Sequence, residues 1–190
     1  MTDQDETHRT LRSDAERNRD RIADAARAAF RDLGADAPMK EIAKRAGVGT
    51  ATLYRRFPTR EDLLSYVFAD RLTGCADSVH VALASPDPWQ GLVDHISHLT
   101  HLQLEDRAFT AVFLHEFPPD SPVSHSHAEA GAALDRLLDA AKTAGDLRQD
   151  VDADDVVLLL KANDGVLRWS GDPARESRRL VERFLHSFRT

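Results

Sequence analysis

The sequence predicts an all-α fold of about nine helices, and three observations predict it. Apolar residues recur at intervals of three and four along nearly the whole chain, the period of a helix with one buried stripe. No stretch of any length alternates apolar and polar residues as a half-buried strand does. The interruptions are helix punctuation: glycines just past an apolar stripe, and prolines or short capping side chains where the next stripe begins.

Each element follows from that pattern. Ile22, Ala26, Ala29, Phe30 and Leu33 form the stripe of a first helix, which Gly34 closes. Pro38 opens a second through Ile42, Ala43 and Ala46, and Gly47-Val48-Gly49 interrupts it. A short third helix, Thr50–Phe57, stops at Pro58. Thr59 caps a fourth, with Glu61 and Asp62 suited to its first turn and Leu63, Leu64, Val67, Phe68 and Leu72 along it. After the Ser-Pro-Asp-Pro break at 85–88, a fifth covers about Trp89–Leu104 and a sixth about Arg107–Phe117. Pro118, Pro119 and Pro122 make a loop before a seventh, about Ser124–Ala144, ended by Gly145. Asp152 caps an eighth through Trp169, and Asp172-Pro173 starts a ninth with Leu180, Phe184 and Phe188 inward.

A chain of 190 residues buries a core without disulfides or metal. Its longest aliphatic run, Val156–Leu160, is far short of the ~18–20 residues that span a bilayer, so no membrane partner is expected. The acidic, polar N-terminus reads as neither a secretory signal nor a transit peptide, and the lone Cys75 fits a reducing, cytoplasmic setting. The net charge of −7 argues at first against a nucleic-acid partner. Its distribution reverses that. Residues 1–8 carry −3, residues 9–60 carry 13 bases against 7 acids for +6, and residues 61–190 carry −10. A small basic module is joined to a larger acidic one, which points to nucleic-acid contact by the basic part.

Residues 39–58, MKEIAKRAGVGTATLYRRFP, have the layout of a helix-turn-helix. Ala43 is the small residue where two helices cross, and Gly47 is the turn residue tolerant of unusual backbone angles. Ile42, Ala46, Val48 and Leu53 are apolar anchors, and Phe57 joins the core. The second helix then presents Thr50, Thr52, Tyr54, Arg55 and Arg56, side chains suited to phosphates and base edges.

Residues 19–66 resemble the DNA-binding domain of the TetR family of bacterial transcriptional regulators. The likeness is carried by Arg21-Ile22, Ala25-Ala26, Phe30, Gly34, Ile42-Ala43, Ala46-Gly47-Val48, Thr52-Leu53-Tyr54, Phe57, Arg60-Glu61 and Leu63-Leu64. It implies three parts: a flexible arm over 1–18, a DNA-binding domain over 19–66, and a ligand-binding and dimerisation domain over 67–190. It also implies a homodimer on a palindromic operator of double-stranded DNA, with each third helix in a major groove. Thr50 and Arg55 would then lie near the bases, Thr52 and Tyr54 on phosphate, and Arg60 where the family usually has a phosphate-gripping lysine. Arg56 is a further candidate, and Arg19 and Arg21 would add backbone contacts. Two departures stand out: Ala37-Pro38-Met39 replace the usual hydroxyl cap of the second helix, and Gly49 replaces a frequent serine before the third.

In the family the eighth and ninth helices pair with those of the dimer mate. Val156, Val157, Leu159 and Leu160 are apolar over an arc wide enough to serve both a core and such a partner. His98, Phe109, Phe113, Phe117 and Trp169 are the candidate lining of a pocket for an unidentified small-molecule effector, which would release a repressor from its operator. Alternatives are a constitutive DNA-binding dimer without ligand, or a metal sensor using His95, His98 and His101 on the fifth helix. Steps of three residues drift around a helix, so one metal would take two adjacent histidines and not readily all three. His115, His125 and His127 follow downstream. No nucleophile elbow, phosphate-cradling glycine loop, HExxH or CxxC is present, so no enzyme, catalytic residue, cofactor or metal site is expected.

Overall fold

The computed structural model describes residues 3–34, 36–113 and 122–190; for 3–15, 107, 111, 112, 122, 123 and 126 it describes the backbone alone. Every regular element among them is a helix: α1 (Asp3–Leu33), α2 (Met39–Arg45), α3 (Thr50–Arg56), α4 (Arg60–Leu83), α5 (Pro88–Glu105), α6 (Arg107–Phe113), α7 (Pro122–Ala144), α8 (Ala153–Trp169) and α9 (Pro173–Phe188). The chain divides into two units, Met1–Ala69 and Asp70–Thr190, and α4 runs through both ranges.

The first unit is built on the predicted stripe of α1. Ile22, Ala26, Ala29 and Phe30 are buried, and the Phe30 ring lies 6.1 Å from that of Phe68. The Arg27 guanidinium donates to the Val67 carbonyl at 2.8 Å, fixing α1 to the first part of α4. That part starts with a reciprocal cap: Thr59 Oγ1 accepts from the Asp62 N–H, and the Asp62 carboxylate accepts from the Thr59 N–H, each at 3.0 Å. From Asp3 onward the expected arm over 1–18 continues α1 instead. That run holds neither Gly nor Pro and intersperses charges of both signs, so nothing in it breaks a helix. The division after Ala69 falls three residues beyond the expected boundary.

In the second unit α5 is central and packs against α6, α7, α8 and α9. Leu92, Ile96 and Leu99 are buried along it. Its first turn meets the end of α4 backbone to backbone at Gly91, where a Cβ would stand 2.5 Å from the Ala82 carbonyl oxygen. α8 opens on a capping box, Asp152 accepting from the Asp154 and Asp155 N–H groups while Asp155 accepts from the Asp152 N–H. α6 is described only to Phe113, and the expected continuation to Phe117 lies outside the described residues, as does His115.

Candidate nucleic-acid interface

The interface is built by the end of α2, one turn and α3. Gly47, at φ +65°, takes the left-handed conformation that L side chains resist. Its N–H donates to the Lys44 carbonyl, and the next N–H, of Val48, donates to Ala43 at 3.0 Å. This pair of bonds satisfies carbonyls that the end of α2 would leave open, and it turns the chain into α3. Gly49 is the N-cap of α3 with no side-chain bond, and Pro38 holds the same place in α2. The two departures from the family pattern thus fall on uncapped helix starts.

Leu53 is fully buried and Phe57 nearly so, with Ile42 and Ala43 beneath them. At 100° per residue, a buried Leu53 sets the other side chains of α3. Ala51 and Arg55 point most nearly away from the core and are exposed, Tyr54 beside them is exposed, Thr50 is exposed at the first position of the helix, and Thr52 is half-buried. Tyr54 keeps 48% of its surface open. Arg56 lies closer to the core side, and its Nε is enclosed without a hydrogen-bond partner. Arg60 is partly buried, and its guanidinium donates to the Ala37 carbonyl at 2.7 Å. One of its nitrogens therefore braces the chain just before α2.

Behind α3 the head is tied by charge and stacking. Arg45 pairs with Asp32 at 2.7 Å and with Glu41 at 3.1 Å, and these carboxylates raise its pKa. The Arg19 guanidinium lies over the rings of Tyr66 and Phe57, at 4.7 and 5.6 Å from their centroids. Arg19 therefore serves at least in part as packing. Sequence reasoning missed Ala51; the signal was available, since it lies on the outward arc that Leu53 defines.

Residues 22–67 match the model of the bacterial regulatory proteins of the tetR family, and residues 87–186 match that of the SbtR-like transcriptional regulator C-terminal domain. The chain belongs to the TetR family. A helix-turn-helix transcriptional regulator of Staphylococcus aureus (strain USA300) is 43% identical over 58 residues, 30% of this chain and 31% of that relative's own length. In fold, this TetR-family chain is similar to a tetR-family regulatory protein from Rhodococcus RHA1, at 21% identity and TM-score 0.67 over 90% of this chain and 96% of that one. It is also similar to the fatty acid degradation regulator FadR from Bacillus halodurans, at 22% identity and TM-score 0.57 over 90% and 99%. The family match makes the chain a DNA-binding transcriptional regulator. Among the described residues no helix is long and apolar enough to cross a membrane.

The candidate lining of the second unit is only partly assembled. Phe109 is buried, its ring 5.6 Å from that of Phe113, and Phe113 meets the His127 ring edge-on at 5.6 Å. His98 is half-buried on α5 with its Nε2 enclosed. Phe117 lies outside the described residues. Trp169 is a correction: it is 89% exposed at the end of α8, two residues and so more than half a turn from the buried Leu167, and it is not part of an enclosed lining.

The three histidines of α5 diverge as their spacing requires. His95 is buried, and its Nδ1 lies 2.8 Å from Ser78 Oγ. The single Ser78 proton goes to the Cys75 carbonyl at 2.8 Å, so the Nδ1 of His95 is the donor. Burial, with His98 adding to it, lowers the His95 pKa to about 4. His101 is exposed and lies 3.3 Å from Glu105. Among the described residues no three potential ligands gather around one point.

Proposed function

We propose that the chain is a homodimeric repressor that binds a palindromic operator through α3 and is released by a small-molecule effector in its second unit. The carrying observation is the outward face of α3, where Thr50, Tyr54 and Arg55 stand open to solvent and Thr52 is half-exposed beside a buried Leu53. Arg55, with Thr50 and the Ala51 methyl, reads base edges in the major groove. Thr52, Tyr54 and the guanidinium of Arg56 hold phosphates and fix the register, and Arg60 adds its charge at the start of α4. The +6 charge of residues 9–60 supplies the sequence-independent attraction, and the free Cys75 suits the reducing cytoplasm in which such DNA lies.

The dimer reading is supported by α8 and α9. Val156, Leu159, Leu160, Asn163 and Leu167 are buried on one side of α8. Leu158 and Trp169 stand 55% and 89% exposed on the opposite side, in line with the small Ala162 and Gly165. Beside this ridge, Val166, Asp172, Arg175, Glu176, Arg179, Leu180 and Arg183 line a groove of about 470 Å³. A ridge and an adjoining groove on one protomer are self-complementary about a two-fold axis. Such an axis also matches palindromic half-sites, whose centres lie roughly 34–36 Å apart. The effector acts through α4, which belongs to both units. A ligand that favours one α4 arrangement while operator favours another couples the two equilibria.

Capture of genomic DNA by the purified dimer tests this reading. One inverted-repeat sequence should be enriched over a variant carrying both Tyr54→Ala and Arg55→Ala. Equal enrichment by the two proteins overturns it.

A further inference from the structure

Resting on the reading that the second unit takes an effector, we infer that this effector is an uncharged molecule with an apolar body that brings a hydrogen-bond donor to Asn163 and a polar group to Thr110. The chemistry is set by buried polar atoms that lack a partner.

Asn163 is fully buried on α8. Its amide nitrogen donates to Gln103 Oε1 at 2.8 Å, and the Gln103 amide nitrogen donates to the Leu160 carbonyl at 3.0 Å. That chain allows one orientation. The Leu160 carbonyl can only accept, so Gln103 must turn its NH₂ toward it and offer its oxygen to Asn163, which must answer with NH₂. Asn163 Oδ1 is the atom left over, enclosed and without a partner.

Thr110 on α6 is fully buried as well, and its Oγ1 has no partner. Helical hydroxyls elsewhere in the chain turn back on the carbonyl four residues earlier: Ser65 on Glu61 at 2.6 Å, Thr100 on Ile96 at 2.9 Å, and Thr143 on Asp139 at 2.8 Å. Thr110 departs from that habit. His98 Nε2, on α5, is a third enclosed atom without a partner. α5 packs against both α6 and α8, so the helices carrying these atoms share it. Leaving one buried polar atom unmet costs about 1–3 kcal/mol, so a native chain keeps few without a use.

The described residues around these atoms offer no counter-charge. Among the described residues of this unit, no Lys, Arg, Asp or Glu is buried; the buried polar residues are His95, Thr100, Gln103, Thr110, Asn163 and Ser177. Asp164 has one enclosed oxygen, but its other oxygen pairs with Arg168 at 2.7 Å, which already balances it. Burial lowers the pKa of His95 and of His127, so neither imidazole offers a cation at neutral pH. A carboxylate or an ammonium would be desolvated here without a counter-charge. Phe109 and Phe113 supply the apolar contact.

Three probes with one skeleton test this: 4-phenylbutanamide, 4-phenylbutanoate and 4-phenylbutylammonium, added to the full-length protein while its unfolding midpoint and operator binding are followed. The amide should raise the midpoint at millimolar concentration, and the two charged compounds should not. Thr110→Val should bind the amide about tenfold more weakly. Its ligand-free midpoint should equal or exceed that of the wild type, because no protein hydrogen bond is lost. Equal stabilisation by either charged compound overturns the inference, as does no response to the amide. A ligand-free Thr110→Val that unfolds earlier, with its amide response intact, also overturns it, since a bound water then meets the hydroxyl. Operator release by the butanoate alone refutes the uncharged effector and leaves the ligand-responsive regulator standing. A protein that binds no operator under any condition refutes the underlying reading instead.

Discussion

Replacing Gly91 by alanine sets two opposed effects against each other. In the first turn of α5 alanine is the better helix former by about 1 kcal/mol. The new Cβ, however, would stand 2.5 Å from the Ala82 carbonyl oxygen and 3.2 Å from both the Ala82 carbonyl carbon and Ser85 Cβ. A comfortable carbon–oxygen contact is about 3.3 Å or more, so α4 and α5 must separate by roughly 0.8 Å. The obstructing atoms are backbone and cannot rotate aside. Such overpacking costs about 1–3 kcal/mol, which leaves Gly91→Ala destabilised by up to about 2 kcal/mol. Gly74→Ala, in the middle of α4, is the matched control, because its Cβ would meet nothing within 4 Å. It should gain about 0.5–1 kcal/mol. Thermal unfolding should therefore move the two variants in opposite directions, at about 2–4 °C per kcal/mol for a chain of this size. A Gly91→Ala midpoint at or above the wild type would refute the close crossing of α4 and α5.

Other outcomes follow from single side chains. Gly47→Ala should cost about 1–2 kcal/mol from its left-handed backbone alone, because open space surrounds the new methyl, and Gly47→Asn should cost less; a neutral alanine in urea denaturation contradicts this. Arg55→Ala should lose about 1–3 kcal/mol per half-site on operator DNA and much less on scrambled DNA, read by fluorescence anisotropy; equal losses would move Arg55 from bases to phosphate. Below pH 6.5 the unfolded chain takes a proton on His95 that the folded chain refuses until about pH 4, so stability is lost as pH falls. The loss by pH 5 is about 2 kcal/mol, and His95→Gln should remove most of it in urea titrations at pH 7 and 5; an unchanged pH dependence counts against the buried neutral imidazole. Leu158→Glu places a carboxylate on the exposed ridge of α8 and should yield monomers in sedimentation, whereas an intact dimer would move the interface elsewhere.

The DNA-reading half was legible because its signals are local. The stripe of α1, the small Ala43 and Gly47 lie within the reach of one helix-turn-helix, and each residue type is forced by a backbone angle or a close packing distance. The second unit was legible as helices but not as a site. Trp169 and Phe109 are both aromatics at helical spacing, and spacing is silent on which one α5 covers: Phe109 is buried and Trp169 stands open. Leu158 was hidden for the same reason, as one leucine in an aliphatic run whose other members are buried or half-buried.

The sequence by itself determined that this chain is all helical, that a basic head precedes an acidic body, and that the head reads DNA. Those follow from periodicity, from charge and from a motif whose residues lie within twenty positions of one another. Only the tertiary structure decided that Arg60 braces the Ala37 carbonyl, that Gln103 fixes the orientation of the Asn163 amide, and that Thr110 keeps its hydroxyl unmet. Each depends on an atom 20 to 60 residues away or on what is missing from a neighbourhood, and neither is written in local spacing.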